Sequence, residues 1–139
     1  MTSNLKLTSN LKDWIRQELT VNIENELVKY KERVKSLIQL SPSGEIILKQ
    51  TNLSAKQKIL TYIIGKVYSN FAQYSSDDSV TNQELSAALS IPDGTVKYYL
   101  HELRNEGLII PLEKGVHKLR ITQIGAIFDQ YFPEGDVIE

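Results

Sequence analysis

The chain has 139 residues, of which 41% are apolar and 24% are charged. This size fits one compact domain, or a small domain with a helical extension, and argues against a large multidomain enzyme. The absence of cysteine excludes disulfides, thiolate metal sites and cysteine nucleophiles, and the net charge of −1 means that any nucleic-acid site must be a local patch.

An amphipathic helix is predicted from about residue 10. The apolar residues that follow Ser9 at helical spacing are Leu11, Trp14, Ile15 and Leu19. A second helical segment should begin at Asn22, which can cap it, with acidic residues in the first turn and basic residues near the end. The sequence leaves open whether the two segments form one long helix or a kinked pair.

The second segment carries an apolar stripe with the spacing of a heptad repeat. Its members are Ile23, Leu27, Tyr30, Val34 and Leu37. About two heptads are too few to predict an independent coiled coil. The stripe therefore either packs on the chain's own core or makes the contacts of a homodimer, and these five residues are the candidate dimerisation surface.

The middle of the chain predicts a strand and then a buried helix. Ser41–Gly44 should end the preceding helix, and Glu45–Lys49 has the β-branched pattern of a short strand. A helix should follow from Ser54, with a broad apolar stripe from Ile59 to Tyr74. Gly65 in this helix indicates either a close approach by another backbone or a glycine that is merely tolerated.

Two short helices are predicted next, separated by a tight turn. Thr81 and Glu84 have the spacing of a capping box, so the first helix should run from there to about Leu89. Residues 90–94 contain the turn-forming residues that precede the second helix. Gly107 is placed to end that second helix in a left-handed conformation.

The second of these helices has one apolar face and one polar face. The apolar residues expected to pack on the core are Val96, Tyr99, Leu100 and Leu103. The polar residues on or near the other face are Thr95, Lys97, Tyr98, His101, Arg104 and Asn105. Long donors and an amphipathic ring are the side chains that a helix in a DNA major groove uses for phosphates and base edges.

A β-hairpin and a last helix complete the predicted elements. The strands are expected at Leu108–Ile110 and Val116–Ile121, on either side of a turn at Glu113–Gly115, with the charged residues of the second strand facing outward. Thr122 is expected to cap the last helix, which should end at Pro133.

The run VTNQELSAALSIPDGTVKYYLHELRNEGLI resembles the winged helix-turn-helix superfamily of DNA-binding proteins, particularly small prokaryotic regulators. The run LRITQIGAIFDQYF is similar to the wing strand and capped helix of that superfamily. The resemblance covers about residues 54–132 and implies a mainly α fold with a small β-hairpin wing and an N-terminal helical extension. We expect an extension with a short strand over residues 1–50, the winged domain over 51–133, and an acidic tail over 134–139.

The resemblance also implies how such a chain would contact DNA. A recognition helix from about Asp93 to Glu106 would enter the major groove, and a wing around Glu113–Val116 would touch the adjacent minor groove or backbone. The wing contacts would come from Lys114, Lys118 and Arg120, with His117 as a further candidate. We therefore expect sequence-specific binding of double-stranded DNA and transcriptional regulation by a homodimer, since acidic residues near the helix weaken the field of one protomer.

A winged helix that binds a protein instead of DNA is the alternative, because a fold does not fix a function. An enzyme is not expected, since the chain lacks a glycine-rich phosphate loop and a Ser-His-Asp motif. No metal or cofactor is expected, because the two histidines lack the spacing of metal ligands. The absence of a long uncharged apolar stretch and of a signal-peptide pattern predicts a cytoplasmic protein without a membrane contact.

Overall fold

The computed structural model describes residues 10–133 of the chain. The helices are α1 (described from residue 10 and ending in the π-helical turn Ile15–Leu19), α2 (Ile23–Lys29), α3 (Lys31–Lys35), α4 (Ala55–Phe71), α5 (Asn82–Leu89), α6 (Asp93–Asn105) and α7 (Ile124–Tyr131). The strands are β1 (Ile38–Leu40), β2 (Ile46–Leu48), β3 (Val80–Thr81), β4 (Ile109–Glu113) and β5 (Val116–Leu119). This is the mainly α fold with a small β-hairpin wing that the sequence predicts. No helix in the described part of the chain is long and apolar enough to span a membrane.

The N-terminal region confirms one predicted cap and corrects one predicted helix. The Asn22 side chain accepts a hydrogen bond of 3.0 Å from the backbone N–H of Asn25, which fixes the start of α2. The helical segment is interrupted at Tyr30, continues as α3 and is then followed by β1. Strand β1 pairs antiparallel with β2. The predicted strand is thus confirmed as β2. Its partner β1 was missed, because helical periodicity continues up to Leu37.

The five residues of the predicted dimerisation stripe do not share one environment. Leu27 and Val34 are each 4% exposed and Leu37 is 6% exposed, while the ring of Tyr30 stacks on that of Phe128 with centroids 5.7 Å apart. Only Ile23 is well exposed. Side chains covered by their own chain cannot contact a second subunit, so the expectation of a dimer seam is corrected: the stripe packs on the chain's own core, which was the other alternative.

Helix α4 lies at the centre of the hydrophobic core. Ser54 and Gln57 form a complete capping box at its start, which confirms the predicted beginning. Its fully buried apolar residues are Ile59, Leu60, Ile63 and Ile64. Gly65 allows β2 to approach, because a Cβ there would lie 2.6 Å from Cγ2 of Ile46. The atoms that approach Gly65 thus belong to a side chain and not to another backbone. In the predicted apolar stripe of α4, Phe71 is exposed.

The C-terminal half has the element order of a winged helix. A three-stranded antiparallel sheet with strand order β3-β5-β4 holds the β4–β5 hairpin, and α5 and α6 lie between β3 and β4 in the chain. Strand β3 joins this sheet through the pairs Val80↔His117 and Thr81↔Val116. It was not predicted, because two residues are too few to show the alternation of a strand.

Two predicted caps of this half differ in detail from the structure. The Thr81 hydroxyl accepts a hydrogen bond of 3.0 Å from the N–H of Glu84, as predicted, but the Glu84 carboxylate accepts hydrogen bonds from Lys66 and Tyr62 of α4 instead of returning to the cap. Thr122 does not cap α7. It lies in a 3₁₀ turn, and Gln123 precedes α7 without a side-chain cap. Glu84 follows tertiary contacts with α4 that local spacing does not reveal.

Candidate nucleic-acid interface

The turn between α5 and α6 is held by its own hydrogen bonds. The backbone N–H of Ile91 donates to the carbonyl of Ser86 at 3.2 Å, and the Ser86 hydroxyl donates to the carbonyl of Ile91 at 2.6 Å. Ser90 ends α5 in the left-handed region at φ 54°, and the Ile91 side chain is buried in the core. These contacts fix where α6 begins relative to α5.

Buried leucine and valine side chains set which face of α6 points outward. Val96, Leu100 and Leu103 are all at most 2% exposed, and they lie on one side of the helix. Tyr99 is half-buried beside them, with its ring in edge contact with the ring of Tyr98 at 5.2 Å. The rotation of α6 is therefore fixed by its core contacts, as the predicted apolar face requires.

The opposite face brings the predicted contact residues together. Those that are exposed are Lys97, Tyr98, His101, Arg104 and Asn105, whereas Thr95 is half-buried at the start of the helix. Tyr98 is 59% exposed, which is a large exposed fraction for an aromatic side chain on a well-packed helix. The face thus offers two long cations, an amide, an imidazole and an aromatic ring on a rigid support.

The side chains of His101, Arg104 and Asn105 hold one another in place through hydrogen bonds. Nη2 of Arg104 lies 3.2 Å from Nδ1 of His101, and Nδ2 of Asn105 lies 3.2 Å from Nε2 of the same ring. Arginine can only donate, so Nδ1 accepts in this contact and Nε2 is the nitrogen that carries a proton. The Asn105 amide then pairs with Nε2–H through its oxygen, which requires the flipped amide orientation. This cluster positions a guanidinium and an amide, the two groups that form bidentate contacts with guanine and adenine.

Two acidic residues, Glu102 of α6 and Glu106 directly after it, form ion pairs with one lysine from α4. Nζ of Lys56 lies 2.9 Å from Glu102 and 2.7 Å from Glu106. Tyr131 of α7 donates its hydroxyl proton to Glu106. The network ties α6 to α4 and α7 and removes part of the negative charge expected to oppose DNA.

The pKa values in this network follow from these contacts. Partial burial alone would lower the pKa of Lys56, but hydrogen bonds to Glu106, Tyr131 and Glu102 raise it above its ordinary value. Hydrogen bonds from Lys56 and then from Tyr98 lower the pKa of Glu102. Both members of the Lys56–Glu102 pair are therefore charged at neutral pH.

The wing places its three predicted cations differently. Lys114 is fully exposed at the turn, next to Gly115, which adopts φ 77°. Lys118 is half-buried on β5. Arg120 is exposed, but its Nε donates a hydrogen bond of 3.0 Å to the carbonyl of Gly107, which ties the end of α6 to the strand that leaves the wing. Arg120 thus also has a structural role.

His117 is not at the surface, which corrects its candidacy as a wing contact. It is 3% exposed, and its Nε2 donates a hydrogen bond of 3.1 Å to Oδ1 of Asn82 at the start of α5. Nδ1 has no hydrogen-bond partner among residues 10–133. Burial, and then the charge of Arg104, lower the pKa of His117, so the ring is neutral at pH 7. The described residues also contain no cluster of His, Asp and Glu that could hold a metal ion.

A comparison with protein families agrees with this geometry. Residues 72–110 match the family described as winged helix-turn-helix DNA-binding. The order of two helices, a tight turn and a β-hairpin in this part of the chain is that of a winged helix-turn-helix fold. The matched region runs from the end of α4 through α5 and α6 into β4, so it includes the whole exposed face described above. Searches of curated proteins and of solved structures found no match to the chain.

Sequence reasoning missed Lys56, whose ion pairs with Glu102 and Glu106 offset part of their negative charge. Lys56 lies in the first turn of α4, and its carboxylate partners on α6 are 46 and 50 residues away. No local spacing reports such a pair. The one available signal was a pair of acidic residues at i and i+4, Glu102 in α6 and Glu106 directly after it, which repel each other unless a cation lies between them.

Proposed function

We propose that the protein binds double-stranded DNA sequence-specifically and regulates transcription as a homodimer in the cytoplasm of a prokaryotic cell. In this proposal α6 enters the major groove, and the β4–β5 wing lies against the adjacent minor groove or backbone. The observation that supports it most is the outer face of α6, where an anchored helix exposes Lys97, Tyr98 and the His101–Arg104–Asn105 cluster together.

Each side chain of this face suits one part of a duplex. Arg104 can form the bidentate contact with O6 and N7 of guanine, and Asn105 can form the equivalent contact with adenine. The Tyr98 ring can pack on the methyl group of thymine. Lys97 and Lys114 are exposed point charges that suit phosphate oxygens, which fix register and orientation but carry no sequence information.

The number of cations predicts a measurable salt dependence. If about four of the exposed lysine and arginine residues of one protomer meet phosphates, the slope of log affinity against log salt is about −3.6. The affinity of a protomer should then fall by roughly two orders of magnitude between 50 and 200 mM salt. Two protomers on a two-part site would roughly double that slope, so the measured slope distinguishes a monomer from a homodimer on the DNA.

A protein-binding winged helix is the second candidate, and the wing itself favours it. Leu112 is 51% exposed, and it lies between Pro111 and Glu113 on the outer strand. An apolar side chain beside a carboxylate suits a protein surface better than a phosphate backbone. In this reading the wing tip, and not the face of α6, would make the principal contact.

One experiment separates the two candidates. The purified full chain is used to select duplexes from a random pool, and the selected duplex is then titrated at 50 and 200 mM salt. DNA binding predicts an enriched sequence and the loss of affinity given above. No enrichment, together with no affinity for any duplex at 50 mM salt, would contradict the proposal and favour a protein partner.

A further inference from the structure

Helix α1 has an apolar surface that no residue in the described range 10–133 covers. Every residue from 10 to 25 is exposed, and none of the residues in the π-helical turn is buried. The apolar residues involved, with their exposed fractions, are Leu11 (56%), Trp14 (52%), Ile15 (39%), Leu19 (65%), Val21 (48%) and Ile23 (47%). We call this set the N-terminal apolar surface. Leu11, Trp14, Ile15 and Leu19 are spaced so that they share one face of a helix.

A helix whose apolar face has no packing partner is only marginally stable in water. Isolated helices shorter than about 12–15 residues are marginal even with favourable sequences, and most helical stability comes from packing an apolar face. None of the residues of α1 that the structure describes, from residue 10 onward, packs into the core. A partner from outside the described chain would supply the missing contact.

The apolar area matches what one half of a homodimer interface requires. A fully exposed large apolar side chain presents on the order of 150–250 Å², so six residues at about half exposure present roughly 500 Å². A standard interface buries about 800 Å² per partner, and about 65% of it is apolar in homodimers, which is also roughly 500 Å². Trp14 lies within this surface, and tryptophan is enriched among the residues that contribute most to binding.

The charges that flank this surface favour a second copy over a lipid surface. Lys12 and Arg16 are balanced by Asp13 and Glu18, so α1 carries no net charge. Helices that bind anionic membranes carry an excess of lysine and arginine on their polar face, which α1 lacks. A second copy of α1 carries the same two basic and two acidic residues. Oppositely charged side chains of the two copies can therefore pair without a net charge on either helix.

We propose that the N-terminal apolar surface is the homodimer interface, in which α1 of one protomer packs on α1 of a second copy. This proposal deepens the function proposed above by naming the surface through which two protomers associate. It rests on that function, because a two-part DNA site calls for two protomers. It replaces the stripe of Leu27, Tyr30, Val34 and Leu37, which the core already covers, and keeps Ile23 from that earlier set.

The test combines sedimentation equilibrium of the full chain with the fluorescence of Trp14. Trp14 is the single tryptophan of the chain, so its emission reports on this surface alone. We expect a dimer at micromolar concentration and a shift of the emission to longer wavelength on dilution. Ile15→Glu should raise the dimer dissociation constant about tenfold or more, whereas the matched change Ile47→Glu, on an exposed residue of β2, should change it less than about twofold.

Several outcomes would overturn this interface. They are a monomer at all concentrations, a dimer whose Trp14 emission does not change on dilution, and an emission shift that occurs only when anionic phospholipid vesicles are added. DNA binding is scored separately, by titrating a duplex that carries a single half-site. A monomer that still binds this half-site would remove the interface and leave DNA recognition by α6 in place.

Discussion

Helices α6 and α1 are both amphipathic, but they place their apolar faces in opposite environments. The apolar face of α6 is buried by its own chain, so its polar face is what the molecule presents. The apolar face of α1 is itself presented, because nothing in residues 10–133 covers it. The pattern of a helix therefore shows which face needs a partner, but it does not show whether that partner lies in the same chain.

The largest difference between the two helices should appear in stability. Leu100→Ala in α6 removes a side chain that is 2% exposed and should lower the free energy of unfolding by about 2–5 kcal/mol. Leu19→Ala in α1 is the matched change at 65% exposure and should cost less than about 0.5 kcal/mol per protomer under monomeric conditions. Urea denaturation at low protein concentration measures both. Equal losses would show that α1 is packed on its own chain.

The second effect concerns the network that joins α6 to the core. Lys56→Met should leave Glu102 and Glu106 without their cation and lower the free energy of unfolding by about 1 kcal/mol. It should also weaken DNA binding severalfold, although Lys56 is not on the exposed face of α6. Lys58→Met, two residues along α4, is the control. Affinity is measured by fluorescence anisotropy on the selected duplex. Equal DNA affinities of Lys56→Met and Lys58→Met would show that the carboxylates of Glu102 and Glu106 do not weaken DNA binding.

A smaller effect is expected from the buried histidine behind the wing. Because the pKa of His117 is lowered in the folded state, the unfolded chain takes up a proton first as the pH falls below about 6.5. Stability should therefore decrease from pH 7 downward by at most about 1.4 kcal/mol per pH unit, while above pH 7 this residue contributes no pH dependence.

Two variants isolate this contribution from that of the carboxylates. Urea unfolding is measured at pH 7.5 and 5.5 for the wild type, for His117→Gln and for the exposed control His101→Gln. His117→Gln should show a smaller loss between the two pH values than the wild type, whereas His101→Gln should behave like the wild type. A loss of equal size in all three proteins would remove His117 as its source.

Local signals were sufficient for the helix starts and for the face of α6. Asn22, Ser54 and Thr81 all accept the hydrogen bonds that their spacing predicts, since a cap involves atoms only three residues away. The two faces of α6 follow from helical periodicity in the same way. The order of capped helices, turn and hairpin was then enough for the winged helix-turn-helix resemblance.

Features set by distant residues could not be predicted. The apolar stripe of α2 and α3 gave no indication that α4 and α7 cover it, because periodicity is the same for a core contact and a dimer contact. The burial of His117 depends on β3, a strand of two residues on the far side of the sheet. The pairing of Lys56 depends on the packing of α4 against α6.

The central claim is that the exposed face of α6 contacts DNA, and Lys97→Ala tests it most directly. The selected duplex is titrated with the wild type, with Lys97→Ala and with the control Lys31→Ala, whose exposed lysine lies on α3, at several salt concentrations. The account predicts that Lys97→Ala binds severalfold more weakly and that its salt slope falls by about one per protomer, while Lys31→Ala matches the wild type. An unchanged affinity and an unchanged slope for Lys97→Ala would contradict it.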